Sequence, residues 1–123
     1  MAEGVTAAGI DHVRLSYHYL DQGDTDGYAS LLDSAAVLDE PGHARVHGRV
    51  AVAESRRLRW CGAHHLDAVF AADGQVAAVG RFNRGGSDGV DVDFADIITL
   101  SQHGLLVTQR CYYFIRPNGN STT

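Results

Sequence analysis

The feature that most constrains this chain is a change of hydrophobic period near residue 64. Before it, apolar residues recur at spacings of three and four; after it, they recur at two. Ile10, Val13, Tyr17 and Leu20 place one apolar stripe on one face of a helix over residues 8–21. Gly23 ends that helix, and Asp24-Thr25-Asp26 supplies N-cap chemistry for a short second helix carrying Tyr28, Leu31 and Leu32. Val37 and Leu38 read as a brief strand stopping at Pro41-Gly42, with residues 45–47 as its partner. Gly48 precedes a third helix over about residues 50–60, whose arginines are expected on a solvated face.

From His64 onward, four long runs read as strands: 64–72, 76–83, 90–100 and 105–115. Asp73-Gly74 is the strongest hairpin signal, residues 85–89 read as a longer mobile loop, and Ser101-Gln102-His103-Gly104 is a third turn. Helices first and a meander afterwards define an α+β fold. The expected form is a cone-shaped, curved antiparallel sheet wrapped around the N-terminal helices and enclosing an apolar pocket. A chain of 123 residues suits a single domain over 1–123, and residues 116–123 lack apolar content and are expected to fray.

Composition narrows the function. Fifteen acids against ten bases give a net charge of -5, and the bases are scattered apart from Arg56-Arg57-Leu58-Arg59, so no nucleic-acid surface is expected. No apolar run approaches the roughly 18 residues of a membrane span, and Met1-Ala2-Glu3-Gly4 does not open a secretion signal. A cytoplasmic protein without membrane contact is the expectation. Cys61 and Cys111 match neither a zinc pattern nor a redox pair and are expected as free thiols.

Alternation along the third long strand puts Asp96 in a row with Val92, Phe94, Ile98 and Leu100. A carboxylate on an apolar row loses hydration, which favours a neutral acid able to donate to an oxyanion; the alternative is an ionised Asp96 paired with an arginine such as Arg81 or Arg110. Asp39 shares parity with Val37 and is expected to face inward as a general base. His64 and His65 are adjacent on a strand, so only one can face the pocket, and either suits proton exchange near neutral pH. Such histidines splay apart, and HExxH is absent, so no metal is expected. In the last strand Leu105, Val107, Gln109, Cys111 and Tyr113 form one face, against Leu106, Thr108, Arg110, Tyr112 and Phe114. Both are largely apolar, so one is expected to line the pocket and the other to form a homodimer. Tyr17, His64, Phe94, Gln109, Cys111 and Tyr113 are the expected substrate contacts.

The run from Tyr19 to Tyr28, the segment Leu31 to Pro41 with Gly48, and the closing strands Phe94 to Leu100 and Gly104 to Phe114 resemble the nuclear transport factor 2-like superfamily. That superfamily includes ketosteroid isomerases, SnoaL-like polyketide cyclases, limonene epoxide hydrolases, scytalone dehydratases and members that only bind ligands. The resemblance implies that Asp39 matches the isomerases' general base and Asp96 their protonated oxyanion-hole acid. The isomerases' oxyanion tyrosine falls at Ser16, beside Tyr17, and an aspartate of the cyclases falls at Cys111. His65 lies about where scytalone dehydratases keep a catalytic histidine. The implied activity is cofactor-independent acid–base chemistry by Asp39, Asp96 and His65 on a carbonyl-bearing, polyketide-like molecule, aromatic or polycyclic. Isomerisation, cyclisation or dehydration in secondary-metabolite biosynthesis would fit, and a non-catalytic binding domain of the same fold is the alternative.

Overall fold

The computed structural model describes residues 7–84 and 91–115. Helix α1 (Ala7–Gln22) buries Val13, Tyr17 and Leu20, the stripe expected from its spacing. Helix α2 (Thr25–Ser30) starts where the Asp24 carboxylate accepts the Gly27 N–H at 2.8 Å, a side-chain N-cap. Leu31 and Leu32 do not extend it: Leu31 caps the helix and Leu32 opens strand β1 (Leu32–Asp39). Strand β2 (Val46–His47) and helix α3 (Arg49–Arg59) follow, then β3 (Ala63–Ala72), β4 (Gln75–Asn83), β5 (Asp91–Leu100) and β6 (Leu106–Ile115).

The six strands form one unclosed, curved sheet in the order β2-β1-β6-β5-β4-β3. Strands β3 to β6 are the expected antiparallel meander, and β1 joins β6 in parallel. Asp73 and Gly74 carry φ of 55° and 77°, the paired positive angles of a two-residue hairpin between β3 and β4. The loop expected at 85–89 and the tail at 116–123 lie outside the described residues.

Helices cover one face of the sheet. The core gathers Val13, Tyr17 and Leu20 of α1 with Tyr28, Val52 and Ala53 of the other helices and Leu38, Val76, Phe82, Phe94 and Ile98 of the sheet. Burying such side chains stabilises the fold by about 1.5–3 kcal/mol each. Two irregularities re-aim strand residues. In β3 the pairing with β4 shifts between Leu66 and Ala68, and there Gly80 comes so close that a Cβ would collide with the His65 carbonyl oxygen. In β6, Leu106 pairs with Leu100 but Thr108 with Thr99, so Val107 is an extra residue. One extra residue reverses parity, which corrects the expected faces: Leu106 is buried inside, while Thr108, Arg110, Tyr112 and Phe114 stay outside.

Candidate functional site

The inner face brings together residues that sequence parity separated. Asp96 is buried on β5 as expected, but its partners are new. Its Oδ2 accepts hydrogen bonds from the Tyr17 hydroxyl and from Gln109 Nε2 at 3.0 Å, and Arg56 Nη2 lies 3.8 Å away. Neither Arg81 nor Arg110 is the partner. Asp96 Oδ1 is buried and has no hydrogen-bond partner. Arg56, expected on a solvated face, is among the most buried side chains because the α3 turn carrying it packs into the sheet. It lies between two carboxylates, 3.6 Å from Glu40 Oε2 and 3.8 Å from Asp96, and 3.5 Å from the Cys111 thiol. Burial opposes its charge, yet Tyr28, Cys111, Asp96 and Tyr17 around it push its pKa up, so it stays a cation.

Asp39 and Glu40 exchange the places expected for them. Leu32, Ala36 and Leu38 are the buried residues of β1, so Glu40 continues the inward row and Asp39 faces outward. Val37, whose parity suggested otherwise, is only half-buried on the outer face. Asp39 pairs there with Arg45 at 3.3 Å and Arg110 at 3.6 Å. Glu40 accepts from Arg59 through Oε1 and from the Trp60 indole N–H through Oε2 at 2.5 Å.

The histidines divide likewise. His64 turns inward with a side chain 1% exposed, whereas the His65 side chain is 66% exposed and lies 3.4 Å from Asp67. The inward position expected for His65 is therefore occupied by its neighbour. Asp21, at the end of α1, grips His64 twice: one carboxylate oxygen accepts the backbone N–H at 2.9 Å and the other lies 2.5 Å from Nδ1. An Nδ1–H donated to that carboxylate leaves Nε2 as the lone-pair nitrogen, and Nε2 is buried without a partner. Tyr17, Trp60, Phe82 and Phe94 surround the ring at centroid distances of 5.1, 6.0, 4.6 and 5.5 Å. Burial, reinforced by the Arg56 charge, lowers the His64 pKa against the opposing pull of Asp21, so the imidazole is neutral at pH 7. Burial and Asp96 hold the Tyr17 phenol well above its ordinary range, so it remains a donor. Burial and then Asp96 push the Cys111 thiol up, which keeps a thiolate from forming.

A cleft of about 420 Å³ opens outside this cluster, lined by Glu40, Arg59, Trp60, Phe82, Arg84 and Tyr113 among others. His64, Asp96 and Tyr17 do not line it; Trp60 and Phe82, which do, pack on the His64 ring at 6.0 and 4.6 Å. Of the expected substrate contacts, Tyr113 lines the cleft, while Tyr17, His64, Phe94, Gln109 and Cys111 do not line it and are buried side chains of the interior. The residues that sequence reading missed are Asp21, Glu40, Arg56 and Trp60. For Glu40 the signal was present, since the Ala36 and Leu38 parity leads to it; for Arg56 a helical stripe with Val52 and Ala53 pointed inward.

No protein-family model matches the sequence, and no curated protein matches it either. Solved structures do. The chain has the nuclear transport factor 2-like fold, also called cystatin-like. An NTF2-like protein of unknown function from Cytophaga hutchinsonii superposes with a TM-score of 0.74 at 14% identity, covering 93% of this chain and 95% of that one. A Mycobacterium tuberculosis protein in complex with estradiol-17β-hemisuccinate superposes at 0.76 and 14% identity, covering 89% and 95%. A Kribbella flavida protein, provisionally described as a ketosteroid isomerase, superposes at 0.75 and 15% identity, covering 94% and 87%. Among the described residues no helix is long and apolar enough to cross a membrane.

Proposed function

We propose that the chain is a cofactor-independent acid–base enzyme of the cytoplasm that moves a proton next to the carbonyl group of a small, aromatic or polycyclic molecule. The observation that carries this reading is the Asp21–His64 pair, with its free ring nitrogen buried among aromatic rings beside the Tyr17–Asp96 pair. Neutral His64 Nε2 takes a proton from the carbon adjacent to the carbonyl. The C–H electron pair moves onto the carbonyl oxygen as an enolate, and Asp21 stabilises the imidazolium so formed. The Tyr17 hydroxyl, turned from Asp96 to the substrate, donates a hydrogen bond to that oxygen. Return of the proton to another carbon is isomerisation; attack of the enolate carbon on a second carbonyl, whose oxygen takes the imidazolium proton, is cyclisation; and expulsion of a β-hydroxyl, which leaves as water with that proton, is dehydration. A polyketide-like substrate in secondary-metabolite biosynthesis is consistent with the resemblance to SnoaL-like cyclases.

Glu40 suits the base role less well, because three donors from Arg56, Arg59 and Trp60 crowd its carboxylate. Trp60 and Phe82 both line the cleft and pack on the His64 ring, so they stand between a ligand there and the base. That seal favours the second reading, a binding domain that holds ligand in the outer cleft alone. The likenesses to a steroid complex and to a provisional isomerase support small-molecule work of either kind. We further propose a homodimer through the outer sheet face, where Phe70, Tyr112 and Phe114 are exposed around Ile97.

Proton abstraction can be read directly, whatever the product. Bicyclic ketones such as 2-tetralone are incubated with the protein in deuterium oxide, and α-carbon exchange is followed by NMR. Exchange above background that falls roughly 10²-fold in His64→Gln and persists in His65→Gln supports the enzyme. Ketones that bind without accelerated exchange leave the binding domain.

A further inference from the structure

The cleft outside Trp60 has a charge character opposite to that of the chain. The protein carries a net charge of -5, yet the charged or titratable side chains lining the cleft, among the described residues, are Arg59, Arg84 and His43 against one acid, Glu40, with the exposed Cys61 thiol at its edge. That acid is already engaged. Glu40 is 3% exposed and is met by Arg56 from behind and Arg59 from the side, so its charge is compensated within the wall. Arg59 is pinned by Glu40 along one edge while a third of its side chain remains exposed. A guanidinium fixed in this way loses little further entropy when it binds a second anion. The floor and opposite wall are aromatic: Trp60, Phe82 and Tyr113.

Taking the cleft as the entrance to the proposed site, we infer that its ligand carries a carboxylate on an apolar body. The anionic group lies between Arg59 and Arg84 at the rim, and the body lies on Trp60 and Tyr113. A carboxylate matches the planar guanidinium donors and gains charge-assisted hydrogen bonds in a partly desolvated cleft. A neutral ketone of the same shape gains only the aromatic contact. The substrate class becomes a hydrophobic keto acid, with its acid group held at the rim and its carbonyl directed inward past Trp60.

Trp60 is the sole tryptophan of the chain, so its fluorescence reports occupancy directly. Titration with 4-phenylbutanoate and with 4-phenylbutanamide compares one body with and without the charge. The carboxylate is expected to bind at least tenfold more tightly, with the advantage shrinking in high salt. The same advantage is expected to be lost in Arg84→Gln, which alters an exposed side chain and spares the core, and in Arg59→Gln. Equal affinity for the two probes, or an advantage unchanged in both variants, overturns the inference. The acid–base reading stands or falls separately, on deuterium exchange that depends on His64.

Discussion

The two faces of the sheet use the same residue types to different ends. On the inner face, Glu40, Arg56, Asp96 and His64 are buried and meet one another through short contacts with Tyr17, Arg59, Trp60 and Asp21. On the outer face, Asp39, Arg45, Arg110 and His65 are spread over solvated surface. Each inner residue has an outer counterpart, twice as its immediate chain neighbour: Asp39 beside Glu40 and His65 beside His64. Chemistry of the side chain does not separate the members of a pair; dielectric does. Inside, charge–charge energies are several-fold larger than at the surface, so an unmatched lone pair there is costly or functional.

The most severe way to break this contrast is to remove the one cation shared by the two inner carboxylates. Arg56→Met roughly keeps the volume and leaves Asp96 without its guanidinium and Glu40 with Arg59 and the Trp60 N–H. Loss of one member of a buried ionic cluster costs about 3–5 kcal/mol, which urea unfolding should register as a large drop in midpoint. Adding Asp96→Asn to that variant removes the orphaned charge and should return part of the loss. A single variant as stable as the parent would mean that the network is solvated and that the inner face is no different from the outer.

The outer face is sharpened by association. If Tyr112, Phe114 and Phe70 meet a second copy, Tyr112→Glu places a charge in each half of a two-fold interface. Sedimentation at micromolar concentration should show a dimer in the parent and a monomer of about 13 kDa in the variant. A parent that sediments as a monomer removes the dimer.

The inner histidine makes a prediction about acid. His64 is held below its ordinary pKa of 6.5, so the unfolded chain takes up a proton more readily than the folded one. The stability it contributes is therefore complete above pH 6.5 and is lost as pH falls through that value toward the lower folded pKa. His64→Gln should flatten this part of the stability–pH curve, measured by urea midpoints across the acid range, whereas His65→Gln should leave it intact. An unchanged slope in His64→Gln assigns the acid sensitivity elsewhere.

These contrasts also mark what the sequence alone can disclose. The elements were legible because period, caps and the Asp73-Gly74 turn are local signals, and Asp96 was legible because it interrupts a long alternating row. The site was less so. Parity in β1 had to be anchored on a single residue, and anchoring on Val37 rather than Leu38 turned the whole strand over. The extra residue at Val107 misassigned Leu106 in the same way. Arg56 was hidden by its neighbours, since Arg57 and Leu58 are exposed and only tertiary packing singles it out. Asp21 meets His64 across 43 positions of chain, a contact that no spacing rule contains.

The smallest effect belongs to the residue that the sequence favoured as base. Asp39 is a third exposed, and its partners Arg45 and Arg110 are more than half exposed, so salt and water screen both pairs. Removing its charge leaves no orphan in the core, because Arg45 and Arg110 simply hydrate. Asp39→Asn should therefore unfold at the parent's midpoint within the scatter of replicate melts and exchange ketone protons at the parent's rate. Glu40→Gln, one position along, should lower the midpoint clearly, because Arg56 and Arg59 both lose the anion they share. If Asp39→Asn instead abolished exchange while Glu40→Gln did not, the catalytic face would be the outer one and the buried cluster around His64 only packing.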